Sequence, residues 1–310
     1  FVRLVILVVI MVGLADGVLA SPPVMQVDGQ PFFMMGWYTS AGSDSVAESE
    51  QYLSTMRHQG MNTALICYGI WMSDSSMTNR MQGAIASDMK IMVEVHRYAV
   101  LQQYGWTYAE IDRQVDLLKG YSSMLNWYLI DEPEAQGLTP AGAQDRYAQI
   151  KARDPDHTIS VAHIGYNSNY SETYLAAEPP AYCDVEMSDT YPITDNYPEF
   201  GAALWLVATD ARLQTNLTGT HGKDAYINIV QTHGDFGLRI PTYIENRYLS
   251  YAPIVQGARG LLYWMHNAFT TAGHRDLVVP PVAHEIQSLV PAIISNSTAV
   301  TVSSNRDTDT

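Results

Sequence analysis

The chain has 310 residues, of which 17 are Lys or Arg and 32 are Asp or Glu, so its formal net charge is −15 at pH 7. Hydrophobic residues make up 47% and charged residues 16% of the chain, a balance that excludes an intrinsically disordered protein. The acidic surplus opposes binding to nucleic acid or to an anionic membrane surface, because both of these partners are negatively charged. A neutral or cationic partner is therefore favoured.

Residues 1–20 predict a signal peptide. An apolar run, Leu4–Leu14, follows Arg3, and Val18 and Ala20 are the small residues that precede a cleavage site. A membrane anchor is the alternative, but the apolar run is shorter than the ~20 residues that a transmembrane helix needs. We therefore expect a secreted, periplasmic or cell-surface protein that has no stable membrane insertion after the signal is removed.

Short apolar runs that are rich in β-branched and aromatic residues recur along the chain, and most of the segments between them have helical periodicity. The predicted strands are Phe32–Tyr38, Asn62–Tyr68, Lys90–His96, Trp127–Ile130, Thr158–His163, Val185–Ser188, Tyr226–Val230 and Gly260–Trp264. The predicted helices are Val46–Gln59, Tyr108–Lys119, Pro140–Ala152, Tyr197–Gln214, Thr242–Gln256 and Val282–Ile294.

This alternation of strands and helices predicts an α/β protein. The eight predicted strands are the number that closes a (β/α)8 TIM barrel. The barrel is expected to span residues 24–294, and residues 295–310 are expected to begin a truncated C-terminal β region. An open doubly wound sheet is the alternative architecture. The sequence has no Gly-x-Gly-x-x-Gly at the first turn, which removes the usual nucleotide-binding reason for such a sheet.

The chain has two cysteines, Cys67 and Cys183. Export would permit them to form a disulfide. They lie in or beside strands on opposite sides of the predicted barrel, farther apart than the ~7 Å between Cα atoms that a disulfide tolerates. We therefore expect two buried free thiols.

Aromatic or ionisable residues end every predicted strand. In a (β/α)8 barrel the loops after the strands converge on one opening, which we call the mouth, and the chemistry of such barrels lies there. The strand-end residues are Trp37, Tyr38, Tyr68, His96, Asp131, Glu132, His163, Asp189, Tyr191, Gln231, His233, Trp264 and His266. Their convergence predicts a functional site at the mouth.

Asp131 and Glu132 form the strongest local signal, because they directly follow the apolar run Trp127–Ile130 and precede Pro133. Buried carboxylates at a strand end are costly unless they are paired or used. Apolar surroundings raise the pKa of a carboxyl group, as a general acid at neutral pH requires. Glu134, beyond the proline, is expected in a solvated loop.

Four segments resemble barrel glycoside hydrolases: Val27–Tyr38, Gly60–Thr63, Trp127–Pro133 and Gly257–Trp264. The resemblance covers about Val24 to Leu289, although each motif is short. It implies that Glu132 is the general acid/base and that Trp264 stacks against sugar rings. It also implies an oligo- or polysaccharide substrate, for which tyrosine-rich surfaces are suited.

The chain departs from the family on the seventh strand, where retaining members of the largest clan have a nucleophilic Glu and this chain has Gln231. Three hypotheses remain. In the first, as in β-hexosaminidase-type families, Asp131 orients a 2-acetamido group of the substrate that acts as the nucleophile, and Tyr191 binds the intermediate. In the second, Asp189 is the partner carboxylate, with retention at a spacing of about 5–5.5 Å and inversion at about 6.5–9.5 Å. In the third, catalysis is lost and the mouth only binds glycans.

We expect Trp37, Tyr38, Tyr68, His96, Tyr191, Gln231, His233 and Trp264 to bind the substrate. No cofactor and no catalytic metal are predicted. A zinc site is the alternative, built from His96, His163, His233 and His266 with Asp131 or Asp189. It is disfavoured because no His-x-His ends the first strand, where metal-dependent barrel hydrolases usually have one.

Overall fold

A computed structural model of the chain describes residues 24–40, 45–67, 72–95, 108–165, 169–195, 203–235 and 237–295. The predicted signal peptide, most of the predicted C-terminal β region, Tyr68 and His96 lie outside these residues. In the described ranges, no helix combines the length and the hydropathy that crossing a bilayer requires.

Eight parallel strands form a closed barrel in chain order, with the last strand hydrogen-bonded to the first. The strands are β1 (Met34–Thr39), β2 (Thr63–Ile66), β3 (Lys90–Glu94), β4 (Met124–Asp131), β5 (Thr158–Ile164), β6 (Val185–Asp189), β7 (Ala225–Gln231) and β8 (Gly260–Trp264). The prediction of a (β/α)8 TIM barrel is confirmed, and the open sheet is excluded.

Helices surround the barrel. They are α1 (Val46–His58), α2 (Asp74–Ala86), α3 (Tyr108–Leu118), α4 (Pro133–Gln136), α5 (Pro140–Arg153), α6 (Asn169–Ala176), α7 (Trp205–Thr220), α8 (Tyr243–Val255) and α9 (Val279–Ile293). Side chains cap several of them: Ser45 accepts a hydrogen bond from the backbone of Glu48, and Thr242 forms a capping box with Glu245. These caps explain why the predicted starts of α1 and α8 lie within a residue of the observed ones.

The sequence analysis did not predict α2, α4 and α6. Helix α2 is rich in Ser, Thr, Asn and Gly, which have low helix propensity and are typical of loops. Its Met77, Met81 and Ala84 are buried, and their spacing places them on one face. Packing of that face against the rest of the molecule stabilises a helix that its composition disfavours.

Two apolar layers lie on the two sides of the sheet. One fills the inside of the barrel and includes Met34, Leu65 and Met187. The other lies between the strands and the helices. Each strand is therefore buried on both faces, which explains the continuous apolar runs that predicted the strands.

A short antiparallel hairpin, Gln26–Val27 with Gln30–Pro31, precedes β1. Asp28 and Gly29 at its tip have φ angles of 52° and 73°, which the Asp-Gly sequence accommodates. Met25, beside the hairpin, is 2% exposed and belongs to the apolar cluster inside the barrel. The hairpin region therefore covers the end of the barrel opposite the mouth.

Both cysteines are free and buried, as predicted. Cys67 belongs to the apolar cluster inside the barrel, and Cys183 belongs to the layer between the strands and the helices. The sheet therefore separates the two thiols.

Candidate active site at the mouth of the barrel

The end of β4 carries an irregularity that shapes the mouth. Its pairing with β5 shifts register between Tyr128 and Ile130. Tyr128, which precedes the shift, faces the inside of the barrel, and the shift then places both Leu129 and Ile130 in the outer layer. Asp131 then returns to the inner side, where its Oδ1 accepts a hydrogen bond of 2.5 Å from the hydroxyl of Tyr128.

Tyrosine hydroxyls hold the Asp131 carboxylate in place. The hydroxyl of Tyr38 donates to that of Tyr128 at 3.3 Å, and Tyr128 donates to Asp131. Burial and the negative charge of Asp131 raise the pKa of Tyr128 well above its usual value, so its hydroxyl keeps its hydrogen. Sequence reasoning missed this role of Tyr128, because the register shift that turns Asp131 toward it has no sequence signal.

Glu132 follows the end of β4 in an unusual backbone conformation. Its φ is 44° and its ψ is 64°, in the left-handed region that L-residues other than glycine rarely adopt. Its N–H donates to the carbonyl of Ala162 on β5 at 2.9 Å, and Pro133 then starts α4. The side chain of Gln136, in α4, also donates to the carbonyl of Asp131.

Asp189 ends β6 and is 8% exposed. The N–H of Gly165 donates to its Oδ1 at 3.3 Å and to its carbonyl oxygen at 3.0 Å. A Cβ atom at Gly165 would come within 2.6 Å of that carbonyl, so only glycine permits this approach. The carboxyl group of Asp189 is also hydrogen-bonded to the carboxyl group of Glu132.

The pKa values of both carboxyl groups are raised. Burial raises the pKa of Asp189 well above its ordinary value, and the charges of Glu132 and Asp131 add to this effect. Burial and then the charge of Asp131 raise the pKa of Glu132. Two acids in contact cannot both ionise easily, so the pair retains one shared proton to a higher pH than a lone carboxyl group would.

Aromatic side chains flank the carboxyl groups. Trp264 is partly exposed, and its ring lies 5.0 Å from that of Tyr38 in an edge-on arrangement. Tyr191 packs edge-on against His233 at 4.7 Å. Burial lowers the pKa of His233, which favours its neutral ring. The structure thus brings Tyr38, Asp131, Glu132, Asp189, Tyr191, His233 and Trp264 to the mouth.

Trp37 does not reach the mouth. Its side chain is 0% exposed in the outer layer, its Nε1 donates to Gln59 at 3.1 Å, and its ring lies 5.3 Å from that of Tyr263. The prediction that Trp37 binds substrate is therefore wrong. Successive residues of a strand face opposite sides, so Tyr38 faces inward and Trp37 faces the helices.

Gln231 lies at the end of β7, but it is 0% exposed. Its Oε1 accepts from the N–H of Ile193 at 3.0 Å, and its Nε2 donates to the carbonyls of Ile193 at 2.9 Å and Arg239 at 3.2 Å. The predicted role in substrate binding is wrong, because these backbone groups occupy the amide. The side chain instead ties together the loops that follow β6 and β7.

Glu134 is not in a solvated loop, contrary to the prediction. Its side chain is 6% exposed, and its two oxygens accept from the N–H of Ile164 at 2.5 Å and from Nδ1 of His163 at 3.0 Å. His163 faces the outer layer, which removes it from the alternative zinc set. Within the described residues, no group of three or more His, Cys, Asp or Glu side chains is placed to hold a metal ion.

No protein-family model and no curated protein matches this chain. Solved structures match its fold at low sequence identity. A Bacteroides thetaiotaomicron protein described as an α-L-fucosidase aligns at 11% identity with a TM-score of 0.57, over 91% of this chain and 98% of its own. An endo-1,4-β-mannanase from Eisenia fetida aligns at 14% identity with a TM-score of 0.55, over 86% of this chain and 93% of its own.

A β-galactosidase from a psychrophilic Marinomonas aligns at 8% identity with a TM-score of 0.63, over 84% of this chain and 60% of its own. At such identities the likeness is one of fold. The chain therefore has the TIM-barrel fold that occurs in these glycoside hydrolases, as the resemblance in its sequence implied.

Proposed function

We propose that the protein is a glycoside hydrolase that cleaves a neutral or amino-sugar glycan, with Glu132 as the general acid. The observation that carries this proposal is the hydrogen-bonded pair formed at the mouth by the half-buried Glu132 and the buried Asp189. Because the pair retains one proton to a higher pH than a lone carboxyl group would, it holds the protonated carboxyl group that proton donation to a leaving oxygen requires. The fold shared with glycoside hydrolases supports the same conclusion.

Asp131, rather than Asp189, is the proposed partner of Glu132. The hydrogen bond between Glu132 and Asp189 engages Asp189 with the proposed acid itself. Asp131 is a third carboxylate, which Tyr128 holds by a hydrogen bond. This arrangement favours the substrate-assisted hypothesis.

In that reaction, Asp131 accepts a hydrogen bond from the N–H of the 2-acetamido group. The carbonyl oxygen of that group attacks the anomeric carbon, the glycosidic C–O bond breaks, and the leaving oxygen takes its proton from Glu132. The hydroxyl of Tyr191 stabilises the resulting oxazolinium. Water then attacks the anomeric carbon and gives a proton to Glu132, while the acetamido group is restored.

The aromatic side chains provide the binding surface for the sugar. Trp264 is partly exposed beside Tyr38, and its indole offers an apolar face to a sugar ring. The net charge of −15 is compatible with an uncharged ligand and opposes an anionic one.

The test compares Glu132→Gln, Asp131→Asn and Asp189→Asn on nitrophenyl glycosides with and without a 2-acetamido group. We expect the wild type to cleave the acetamido substrate preferentially. Glu132→Gln and Asp131→Asn should each lower kcat/KM by about 10²–10⁴-fold, whereas Asp189→Asn should remain active at acidic pH. If Asp131→Asn is harmless and Asp189→Asn is inactive at every pH, the substrate-assisted reaction is wrong.

A second candidate function is a carbohydrate-binding barrel without catalytic activity. The observation that favours it is Gln231, whose amide is bound to backbone groups at the strand end where retaining relatives have their nucleophile. Calorimetric titration with oligosaccharides, combined with product analysis on the same panel, separates the two functions. Binding without any cleavage would support the second candidate and reject the first.

We also propose that the protein is exported, since residues 1–20 have the pattern of a signal peptide. Expression of the whole chain in a secreting host, followed by N-terminal sequencing of the product, tests this proposal. We expect the exported protein to begin at Ser21. Retention of residues 1–20 in a membrane fraction would support an anchor instead.

A further inference from the structure

The left-handed backbone of Glu132 must be held by its surroundings, because an L-residue other than glycine rarely adopts this conformation. The chain is fixed before Glu132, where the N–H of this residue donates to Ala162. It is fixed after Glu132 by helix α4, whose Ala135 and Gln136 N–H groups donate to the Glu132 carbonyl at 3.0 and 3.1 Å. Helix α4 has only four residues, so it needs its own attachment to the barrel.

Glu134 provides that attachment. Its carboxylate, on α4, accepts from the N–H of Ile164 and from the ring of His163, both on β5. Ala162, which binds the N–H of Glu132, lies on the same strand. Strand β5 therefore holds the backbone of Glu132 in two ways. Ala162 binds the N–H of Glu132 directly, and Ile164 and His163 bind Glu134, which anchors helix α4 after Glu132.

His163 is in turn fixed by a second buried acid. Its Nε2 lies 3.2 Å from the hydroxyl of Tyr182 and 3.7 Å from Oε2 of Glu186. Tyr182 gives its only hydroxyl hydrogen to Glu186, so it offers His163 a lone pair. Both ring nitrogens of His163 therefore face acceptors, and the ring bridges the carboxylates of Glu134 and Glu186. All three side chains have little or no exposure.

We propose that Glu134 is a positioning residue that, with His163, holds Glu132 in the orientation needed to protonate the leaving oxygen. This inference rests on the proposed glycosidase function of Glu132. The Glu134 carboxylate faces the outer layer of the barrel and does not contact the mouth, so it has no direct part in the reaction.

The kinetic test uses Glu134→Ala and Glu134→Gln with two glycosides that share one sugar, one with a dinitrophenyl leaving group and one with a phenyl leaving group. The dinitrophenyl group departs without protonation, whereas the phenyl group needs a well-placed acid. We expect Glu134→Ala to lower kcat on the phenyl glycoside by about 10–100-fold, with KM within about twofold and with a much smaller loss on the dinitrophenyl glycoside. Glu134→Gln, which keeps one acceptor oxygen, should recover part of the loss.

Asp154→Asn is the matched control. Asp154 is also a buried carboxylate that binds a ring nitrogen, since it accepts from Trp127 Nε1 at 2.7 Å and contacts His157 at 2.8 Å. It lies before β5, at the end of the barrel away from the mouth. This variant should lose stability to a similar degree without any change in the preference between leaving groups. Equal losses on both glycosides in the Glu134 variants would reduce Glu134 to a structural role and overturn the inference.

A second measurement does not depend on turnover. The ¹³C signal of the Glu132 carboxyl group reports its titration by NMR, and the charge of Glu134 contributes to the raised pKa of Glu132. In Glu134→Gln we expect that pKa to fall and the signal to shift. An unchanged titration and an unchanged shift would overturn the inference even if the wild type is active. A wild type that cleaves no glycoside would instead reject the proposed function.

Discussion

The carboxyl groups of Glu132 and Asp189 are hydrogen-bonded to each other, although strand β5 separates the two strands that carry them. The backbone of β5 reaches both partners, since Ala162 accepts from the N–H of Glu132 and Gly165 donates to Asp189. The barrel thus holds two acids in a position where only one of them ionises easily. Several measurable properties depend on this contact.

The first prediction concerns the pH dependence of Asp189→Asn. The new amide can donate a hydrogen bond to the Glu132 carboxylate, as Asp189 does, but it cannot hold a proton, so Glu132 titrates alone and should lose its proton at a lower pH than the pair does. A general acid works only while protonated, and activity is lost as pH rises through its pKa. The alkaline limb of the kcat/KM profile should therefore move to lower pH. A limb that stays in place or moves upward would show that Glu132 is not the proton donor.

The second prediction concerns the stability of the same variant. A carboxyl group whose pKa is raised in the folded state favours folding below its unfolded value of 3.8, and this contribution is lost as pH rises toward the folded value. In Asp189→Asn the side chain at this position does not ionise, so stability is no longer lost there as pH rises. We expect its Tm to exceed that of the wild type by about 2–4 °C at neutral pH, as about 1 kcal/mol produces, with no gain below pH 3.8. Calorimetry at the two pH values checks both parts.

The third prediction compares two tryptophans. Trp264 is partly exposed at the mouth, whereas Trp37 is 0% exposed and hydrogen-bonded to Gln59. Trp264→Ala should weaken oligosaccharide binding by about 10-fold, since a stacked ring contributes about 1 kcal/mol or more. Trp37→Phe should leave binding unchanged and lower the free energy of unfolding by about 1–3 kcal/mol. If Trp264→Ala left binding unchanged and Trp37→Phe weakened it, the sugar site would lie elsewhere.

The fourth prediction concerns Gln231→Glu, which introduces the residue type that retaining glycoside hydrolases of the resembled kind have at this strand end. A carboxylate cannot donate to the carbonyls of Ile193 and Arg239, and it would be buried against them. We expect the free energy of unfolding to fall by about 2–4 kcal/mol, with no retaining activity gained. Urea denaturation and product stereochemistry are the measurements. A stable variant with new activity would mean that the side chain is free to face the substrate.

The strands were predictable because each is buried on both faces. All eight observed strands overlap the predicted ones, and β8 has the predicted bounds, Gly260–Trp264. The functional side chains were less predictable, because proximity to a strand end does not decide which face a side chain occupies. Trp37 and Tyr38 are adjacent in sequence, yet only Tyr38 faces the inside of the barrel. The burial of Glu134 depends on His163, a partner 29 residues away that no local pattern identifies.

The hairpin before β1 also limits the paths by which a ligand can enter and leave the barrel. Met25 closes the lower end of the barrel, and apolar side chains fill the interior above it. The described residues leave no tunnel along the barrel axis, so we expect a sugar that enters at the mouth to leave through the same opening. A polymer would have to lie across the rim and could not thread through the protein.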